Sequence, residues 1–536
     1  MTVRRAAAAI ALGAALLAAA SLAHLGLTID EPALFYAGDR TLFALTHPTV
    51  AGALDYDQPD PAGFRSAFPR LPDRDDPRHY PVLPGLIAAA THATAGRVLG
   101  LGAVDGHHLG LLLLSAALLF GYTIYATRLL GPGAGLVAGV MLACFPTAVG
   151  HFANDAKDWP CAGFYALAVL AAATGILRGQ RRAIWAAGVW LGLALSCKQN
   201  GVFAGVTILL AAGVLWPFLR GQPRLREALL ALPFVAGAIF LLAWPWLWWG
   251  GLHAMGARLG EAVAFARAFG SSPRPGLSAH PLRCLLFMTP PIVILCAGAA
   301  IALAPGRLEV LLSIWLLLPL VRIALPHANF YDANRHFLEY VPALCALAGL
   351  GAVKVSQRLR ARPRGRALAV AGAAAAVVAL LAPLVRYHPF ESAYFNVLAG
   401  GLGGAQRRAL FRAPDVNPFV FGTEGDYWDS GLRDAVRVAR AASDGPIGVC
   451  AWEPELAALD AEPPPPAIRR GAPDDAPVVI VSPREGRCPW KRVHELERWR
   501  PVVSRATRGG GLIYEVLGPR APAPHAPVSP PTAYDP

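Results

Sequence analysis

Long apolar segments alternate with short polar connections over the first 385 residues of the chain. Segments such as 6–23 and 109–127 hold no charged residue, and about 18 to 20 such positions are enough for an α-helix to cross the hydrocarbon core of a bilayer. The pattern therefore predicts a mainly α-helical, polytopic bundle with about eleven membrane spans. We place them at about 6–27, 107–128, 133–150, 161–177, 183–198, 202–219, 228–249, 283–304, 309–325, 337–353 and 367–385.

The character of the chain changes at about residue 386, where charged, aromatic and turn-forming residues replace the apolar runs. A helix is predicted over 431–442, and strands are predicted over 446–451, 477–481 and 511–516. Alternating helix and strand predict a small α/β domain over 386–518. The last segment, 519–536, is rich in Pro and Ala and is predicted to be a disordered tail.

Basic residues are concentrated in alternate connections between the predicted spans, and only Glu227 and Glu309 oppose them there. Because positive charge is retained in the cytoplasm, this side is predicted to be cytoplasmic, with the N-terminus inside and the C-terminal domain outside. These basic residues are Arg4, Arg5, Arg128, Arg178, Arg181, Arg182, Arg220, Arg224, Arg226, Arg307, Lys354, Arg358, Arg360, Arg362, Arg364 and Arg366.

The segment 81–101 is apolar enough to be read as a further span, but that reading would move the later basic clusters outside. We therefore predict that 81–101 is an interfacial helix on the outer leaflet. It belongs to a long outer loop, 28–106, which follows the first span.

Composition agrees with a membrane protein: 55% of the residues are hydrophobic and only 15% are charged, against about 25% charged residues in soluble domains. The net charge of +13 does not indicate nucleic-acid binding, because the basic residues lie in the connections between spans. Cys450 and Cys488 are the cysteines of the C-terminal part. An oxidising compartment would permit a disulfide between them, but their spacing leaves the pairing open.

Four groups of polar residues lie at the outer ends of predicted spans, where ionisable side chains are costly and often functional. They are the pair Asp30–Glu31, the segment 151–158, Lys198 and the segment 326–336. All four fall on the same predicted side of the membrane. Carboxylates on one wall and Lys, Arg and His on another fit a phosphorylated amphiphile, since an arginine such as Arg335 can bind phosphate with two hydrogen bonds.

The arrangement resembles the GT-C superfamily of membrane glycosyltransferases over about residues 1–390. Its nearest branches are the protein O-mannosyltransferases (glycosyltransferase family 39-like), the aminoarabinose transferases and the lipopolysaccharide-core (Rgt-like) enzymes. The matching features are an Asp-Glu pair after the first span, an outer amphipathic segment that begins at Tyr80-Pro81, an Asn-Asp in the second outer loop, a Lys shortly before a Gly at the end of a middle span, and Arg335-His336 leading into Pro342.

The resemblance implies a GT-C-type catalytic domain over 1–385. It also implies an inverting transfer of a sugar from a polyprenyl-phosphate donor to a glycan, lipid or protein acceptor. In such enzymes the first-loop acid is the general base or an orienting acid, which makes Asp30 the principal candidate for this role and Glu31 the second. Asp155 resembles the second-loop acid. The same resemblance assigns Lys198, Arg335 and His336 to the donor phosphate, and it predicts further donor or acceptor contacts at Tyr80, Asn154, Tyr331 and Asp332.

We predict no cofactor; the alternative is a divalent metal held by Asp155 and Asp158. Two other functions stay open: a transporter or flippase of a lipid-linked sugar, and a non-catalytic protein of the same fold. The chain shows no internal repeat of the kind found in many transporters. The expected location is a bacterial inner or plasma membrane, with the C-terminal domain in the periplasm.

Overall fold

A computed structural model describes residues 2–70, 78–272, 274–303, 305–411, 424–459, 467–473, 475–484 and 487–521. Most of the predicted disordered tail, 522–536, lies outside these residues. The membrane part is helical, with α1 (Val3–Ala19), α2 (Glu31–Thr46), α3 (Leu83–Thr91), α4 (Ala103–Leu130), α5 (Pro132–Ala143), α6 (Pro146–Val149), α7 (Asp158–Arg178), α8 (Arg181–Leu195), α9 (Val202–Val214), α10 (Trp216–Leu219), α11 (Pro223–Ala243), α12 (Pro245–Trp248), α13 (Gly251–Phe269), α14 (His280–Phe287), α15 (Pro291–Ala302), α16 (Arg307–Ala324), α17 (Tyr340–Arg360) and α18 (Gly365–Tyr387).

Five of these helices are long and apolar enough to cross a membrane, and a sixth span results if α14 and α15 are counted together, over the part of the chain that the structure describes. The five are α4, α7, α11, α17 and α18. The count of about eleven spans is therefore not confirmed. In α7, 94% of the most apolar window is buried, against 17% in α18, so α7 lies inside the bundle and α18 at its edge.

Proline interrupts several of the predicted spans. The predicted span 133–150 is divided into α5 and α6 at Phe145, because a residue that precedes a proline is driven out of the helical region. The predicted span 283–304 contains Pro290 and Pro291, and here α14 and α15 meet at an angle of 106°. A helix of 12 residues such as α5 is about 18 Å long, well short of the roughly 30 Å hydrocarbon core.

The first outer loop contains two packed helices. Within the predicted segment 81–101 the structure has the helix α3, extended by a π-helical turn, His92–Gly96, and α3 packs against α2 and α4. The α2–α3 contact is very close, because a Cβ on Gly38 would lie 2.2 Å from the carbonyl oxygen of Gly85. This contact fixes α2, whose first residue follows Asp30.

The C-terminal domain is a small mixed α/β structure, as predicted. Its elements are α19 (Gly401–Arg408), α20 (Leu432–Ala442), β1 (Ile447–Cys450), α21 (Leu456–Leu459), β2 (Ile468–Arg470), β3 (Val478–Val481), α22 (Trp490–Trp499), β4 (Val502–Arg508) and β5 (Gly511–Leu517). The strand order is β2-β1-β3-β5-β4. Strands β2, β1 and β3 are parallel, whereas β5 is antiparallel to both β3 and β4. A disulfide joins Cys450 to Cys488, with the two Cα atoms 5.3 Å apart.

The domain is docked on the membrane part at the beginning of α4 and the segment that follows α1. Arg433 of α20 binds both carboxylate oxygens of Asp105 and donates to the carbonyl of Leu22. The backbone N–H of Gly26 donates to the carbonyl of Ser430 over 2.8 Å. These bonds bring the segment that precedes α20 close to the outer loops of the membrane part.

Candidate functional site

A buried network of ion pairs joins the four polar groups that the sequence singles out. Nζ of Lys157 lies 3.0 Å from Oδ2 of Asp30, and Nη1 of Arg335 lies 2.5 Å from the same oxygen. Nη1 of Arg335 is also 3.2 Å from Oδ2 of Asp158, whose Oδ1 accepts from Nζ of Lys198. The five side chains are at most 9% exposed. Asp30 and Arg335 are 305 positions apart, so the fold and not the local sequence brings them together.

Asp155 shapes the turn that presents two members of this network. Its Oδ1 accepts from the backbone N–H groups of Lys157 and Asp158, and its Oδ2 accepts from the N–H of Trp159. Oδ2 also lies 2.8 Å from Nδ1 of His151. A carboxylate that accepts from the first N–H groups of a helix stabilises its N-terminus. Asp155 therefore contacts the network through the turn, while Asp158 is one of its ion-pair partners.

The adjacent carboxylates Asp30 and Glu31 have different surroundings. Glu31 is fully buried, accepts from the backbone N–H of Thr28 over 2.7 Å and lies 3.1 Å from Nε2 of His108. Burial raises the pKa of Glu31, and the contact with His108 opposes that shift. Asp30 is the member of the pair that joins the ion network.

Arg335 is held by carboxylates and by aromatic rings. Nη2 of Arg335 lies 2.9 Å from Oδ2 of Asp332, and its guanidinium lies 4.8 Å from the centroid of the Tyr331 ring. Burial alone would lower the pKa of Arg335, but Asp30 and Asp332 raise it well above its usual range. Asp332 itself has a φ of 53°, in the left-handed region that residues other than glycine rarely adopt. The loop thus holds a strained backbone where its carboxylate meets Arg335.

His336 is also buried, and its Nε2 has no hydrogen-bond partner among the described residues. Burial lowers the pKa of His336 well below its usual range, and the nearby Lys198 and Arg335 lower it further. The imidazole is therefore neutral at neutral pH. It offers a hydrogen bond to a ligand and not the positive charge that the resemblance implies.

Two of the additional contact candidates border the network. The ring of Tyr80 lies under Lys157, with Nζ 4.4 Å from the ring centroid, an arrangement that stabilises a cation. The backbone carbonyl of Asn154 accepts from the hydroxyl of Thr28 over 3.3 Å. The side-chain Oδ1 of Asn154 is buried and has no partner among the described residues.

The C-terminal domain reaches the same site. The hydroxyl of Tyr427 lies 3.0 Å from Nε2 of His151, and the guanidinium of Arg335 lies 5.2 Å from the ring centroid of Trp428. Arg484 pairs with Asp332 and donates to the carbonyl of Tyr427. The site is therefore built jointly by the membrane part and by this domain.

Two cavities lie beside the network. One, of about 440 Å³, separates the first outer loop from the C-terminal domain and is lined by Ile29, Pro32, Trp452, Glu453, Arg470 and Arg487 among others. The other, of about 340 Å³, is mainly apolar and is lined by Gln199, Val202, Phe240, Trp244, Ala262 and Val263 among others. Gln199, one of the lining residues, directly follows Lys198 in the chain.

Comparison with known proteins gives the same picture. A family model described as Dolichyl-phosphate-mannose-protein mannosyltransferase matches residues 105–249. The crystal structure of ArnT from Cupriavidus metallidurans bound to undecaprenyl phosphate superposes with a TM-score of 0.52 and 15% identity, covering 95% of this chain and 97% of that one. Its apo state gives 0.50 and 16% identity, with coverages of 95% and 96%. No curated protein sequence matches the chain.

The chain has the GT-C fold. The predicted resemblance to the GT-C superfamily is thereby confirmed, and it extends through the C-terminal domain, beyond the predicted limit of about residue 390. Within this fold the sequence-predicted residues Asp30, Lys198 and Arg335 meet in one network, while Glu31 and Asp155 lie next to it with partners of their own.

Sequence reasoning missed Lys157, Arg484 and, as ion-pair partner, Asp158. Lys157 and Asp158 lie in the segment 151–158, and the sequence does not show which of its side chains meet Asp30 and Lys198. Arg484 has no signal of its own in the sequence, since its partner Asp332 is 152 positions away.

The alternative metal pair, Asp155 and Asp158, does not fit an ion, because Asp155 is occupied by N–H groups and Asp158 by cations. Among the described residues, no group of three or more His, Cys, Asp or Glu side chains could hold a metal. No step below uses one.

Proposed function

We propose that the protein is an inverting membrane glycosyltransferase that moves a sugar from a polyprenyl phosphate to an acceptor hydroxyl on the extracytoplasmic side of the membrane. The observation that carries the proposal is the ion network, in which separate loops bring carboxylates and cations into one buried site. Glycosyl transfer needs both kinds of group, because positive charge develops on the sugar and negative charge on the departing phosphate.

The charges of the network favour an anionic ligand. Together with Asp332 and Arg484, the network contains three carboxylates and four cations among the described residues, an excess of one positive charge: Asp30, Asp158, Asp332, Lys157, Lys198, Arg335 and Arg484. An uncompensated charge in a buried site is costly unless a partner balances it. A phosphate bound by Arg335 and Lys198 would supply that balance, and the neutral His336 could add a hydrogen bond.

In the proposed step, the acceptor oxygen attacks the anomeric carbon of the donor sugar while the bond from that carbon to the phosphate oxygen breaks. Asp30 takes the proton of the hydroxyl, and the phosphate leaves with the bonding electron pair, held by Arg335 and Lys198. Attack opposite the leaving group inverts the anomeric centre. Because Arg335 pairs with Asp30, a phosphate bound by the guanidinium would loosen this pair and leave the carboxylate ready for the proton.

Glu31 remains the second candidate for the base. Its contacts with His108 and with the backbone of Thr28 favour a structural role, so we assign the proton transfer to Asp30. For Asp155 we propose a positioning role, because its hydrogen bonds form the turn from which Lys157 and Asp158 enter the network.

The apolar cavity beside Lys198 supports a donor with a prenyl chain. Val202, Phe240 and Trp244 give it an apolar wall, and its lining residue Gln199 is the chain neighbour of the cation proposed to bind phosphate. A lipid phosphate could therefore keep its head in the network and its chain in the bundle. The structurally similar ArnT was crystallised with undecaprenyl phosphate, which agrees with this class of donor.

The cavity of about 440 Å³ between the first outer loop and the C-terminal domain supports entry of the acceptor at this place. Ile29 and Pro32 flank the Asp30–Glu31 pair and form one side of the cavity, while Trp452 and Glu453 form the other. An acceptor that enters here would approach Asp30 from the side of the domain. Glycan, lipid and protein acceptors all stay open.

We further propose that this site and the C-terminal domain face the periplasm, and that the shorter apolar helices complete a bundle of about eleven membrane crossings. The basic connections between spans support this orientation. The disulfide between Cys450 and Cys488 supports it independently, because such bonds persist in oxidising compartments.

The test is a transfer assay with the purified full-length protein, a panel of polyprenyl-phosphate sugars and candidate acceptors of the three classes. Asp30→Asn should stay folded and lose transfer by about 10²- to 10⁴-fold, the usual contribution of a general base. Asp39→Asn is the matched control, since Asp39 is a carboxylate of α2 that pairs with His107 outside the network. Its transfer rate should remain within about twofold of the wild type, as for most changes away from a site.

Two results would contradict the proposal. Full activity of Asp30→Asn would remove Asp30 from proton transfer. Movement of the lipid-linked sugar across proteoliposomes, with no glycosyl transfer to any acceptor, would favour the transporter.

A further inference from the structure

Arg484 extends from the C-terminal domain into the membrane part. It lies shortly after β3, is 3% exposed, and its guanidinium pairs with Oδ1 of Asp332. The same guanidinium donates to the backbone carbonyl of Tyr427 and lies 4.5 Å from the ring centroid of Trp452. Its direction is thus fixed by three neighbours before any ligand is considered.

The carboxylate of Asp332 lies between two arginines. Its Oδ1 binds Arg484, and its Oδ2 lies 2.9 Å from Nη2 of Arg335. The other guanidinium nitrogen, Nη1, is the one that contacts Asp30 and Asp158. A continuous chain of ion pairs therefore runs from the C-terminal domain to Asp30.

We propose that Arg484 is a positioning residue, which holds Arg335 through Asp332 in the orientation that receives the donor phosphate. The inference rests on the proposed function. It makes the C-terminal domain part of the donor site as well as a wall of the acceptor cavity.

The charge of Arg484 has a second effect. If Arg484 were absent, the whole charge of Asp332 would act on Arg335, and the network would lose its excess positive charge. With Arg484 present, Asp332 is shared, so that Arg335 keeps more of its attraction for an anion. Arg484 thereby acts on the binding of the donor more than on the step in which bonds break.

The backbone around Arg484 is fixed by the disulfide. The N–H of Arg484 donates to the carbonyl of Cys488 over 2.9 Å, and the N–H of Cys488 donates to the carbonyl of Arg484 over the same distance. Cys488 is in turn bonded to Cys450 at the end of β1. The disulfide-bonded segment thus determines where the guanidinium lies.

Docking of the domain does not explain Arg484. Arg433 already docks the domain through both carboxylate oxygens of Asp105, away from the ion network. Arg433 is therefore the matched control: an arginine of the same domain that crosses to a carboxylate of the membrane part without contacting Arg335.

The experiment uses the full-length protein in lipid nanodiscs and measures two quantities. The first is the affinity for undecaprenyl phosphate without a sugar, and the second is the pair kcat and KM for the donor in the transfer assay. In Arg484→Met, the Kd for the lipid phosphate and the donor KM should both rise on the order of 10- to 100-fold, since displacements of about 1 Å in a binding site have effects of this size. The value of kcat should fall by less.

Arg484→Lys separates the effect of the positive charge from the effect of the guanidinium geometry. It should recover part of the affinity, because it keeps the charge but not the two-pronged contact with Asp332 and Tyr427. Arg433→Met should lower the thermal midpoint and leave the donor KM within about twofold. Combining Arg484→Met with Asp332→Asn should weaken binding no more than the more severe single change, because both act through one contact.

Several outcomes would overturn the proposal: wild-type Kd and KM in Arg484→Met, an equal shift in Arg433→Met, or additive losses in the double variant. If Arg484→Met does not fold, the same decision rests on Arg484→Lys, and a wild-type KM there would overturn it. If the wild type binds the lipid phosphate but transfers no sugar, the proposed function fails, while the binding measurement still decides whether Arg484 positions Arg335.

Discussion

At the scale of single residues, the site depends on side chains that are close in sequence and differ in surroundings. Asp30 joins the ion network, whereas the next residue, Glu31, contacts His108. Asp155 accepts from backbone N–H groups, whereas Asp158 binds Lys198. The residue types alone do not distinguish the members of either pair.

Lys157 should be needed for full activity, because its Nζ lies 3.0 Å from Oδ2 of Asp30 and orients that carboxylate. Lys157→Met should lower kcat on the order of 10- to 100-fold by releasing the carboxylate from its orientation, and Lys157→Arg should lower it less. The measurement is the steady-state transfer rate at saturating donor.

Lys354 provides the control for this change. It pairs with Glu309 over 2.8 Å in the basic connection region, outside the network. Lys354→Met should keep the wild-type kcat. Wild-type kcat in Lys157→Met would show that the pair with Asp30 is structural only.

The sequence allowed part of the site to be predicted, for a physical reason. Charge is costly at the ends of membrane spans, so this rule indicates the four polar groups, and the family resemblance selects Asp30, Lys198 and Arg335 among them. Asp158, and not Asp155, pairs with the cations of the network. The reason is the turn in which Asp155 accepts from the backbone N–H groups of Lys157 and Asp158. Arg484 depends on a contact across 152 positions, and no local pattern predicts such a contact.

At the scale of elements, apolar length predicts where helices are and does not predict where they break. Helices α7, α17 and α18 lie in predicted spans and are continuous. Phe145 and the prolines of the α14–α15 pair break others, because the residue before a proline leaves the helical region. In the C-terminal domain, the sequence predicts neither β2 nor β4. Strand β4 forms a hairpin with β5 through Gly509-Gly510, both at positive φ, a turn typical of a two-residue hairpin.

The segment that connects α19 to α20 should make the stability of the protein depend on pH. Within it, Asp429 is fully buried, and burial together with the neighbouring Asp426 raises the pKa of Asp429 to about 7. Its carboxyl accepts from the hydroxyl of Ser482 and the N–H of Glu453. The side chain therefore links the segment that carries Tyr427 and Trp428 to the sheet.

Because the folded state binds this proton more tightly than the unfolded state, Asp429 stabilises the fold below about pH 4 and loses that contribution as the pH rises to about 7. The loss is at most about 4 kcal/mol for a shift of this size. The thermal midpoint of the wild type, relative to Asp429→Asn, should therefore fall between pH 4 and pH 7 in a differential scan. Asp475→Asn, at an exposed carboxyl of the same domain, should follow the wild type. If the difference in thermal midpoint between the wild type and Asp429→Asn stays constant from pH 4 to pH 7, this would contradict the raised pKa of Asp429.

At the scale of the whole molecule, the C-terminal domain and the ion network must lie on one side of the membrane, since Arg484 and Trp428 contact residues of the network directly. The orientation of the chain therefore decides on which side transfer takes place. The basic residues around Arg362, between α17 and α18, favour the cytoplasm for that connection, which sends the domain outside.

A pair of single cysteines tests this orientation. In intact cells, a membrane-impermeant maleimide should label Asp444→Cys, in an exposed position after α20, and should label Arg362→Cys only after permeabilisation. The unsubstituted protein gives the background from its own cysteines. Labelling of Arg362→Cys in intact cells would show that the orientation is the reverse and that the site lies in the cytoplasm. A cytoplasmic site would also expose the Cys450–Cys488 disulfide to reducing conditions, so the orientation that keeps this bond is also the one that holds Arg484 against Asp332.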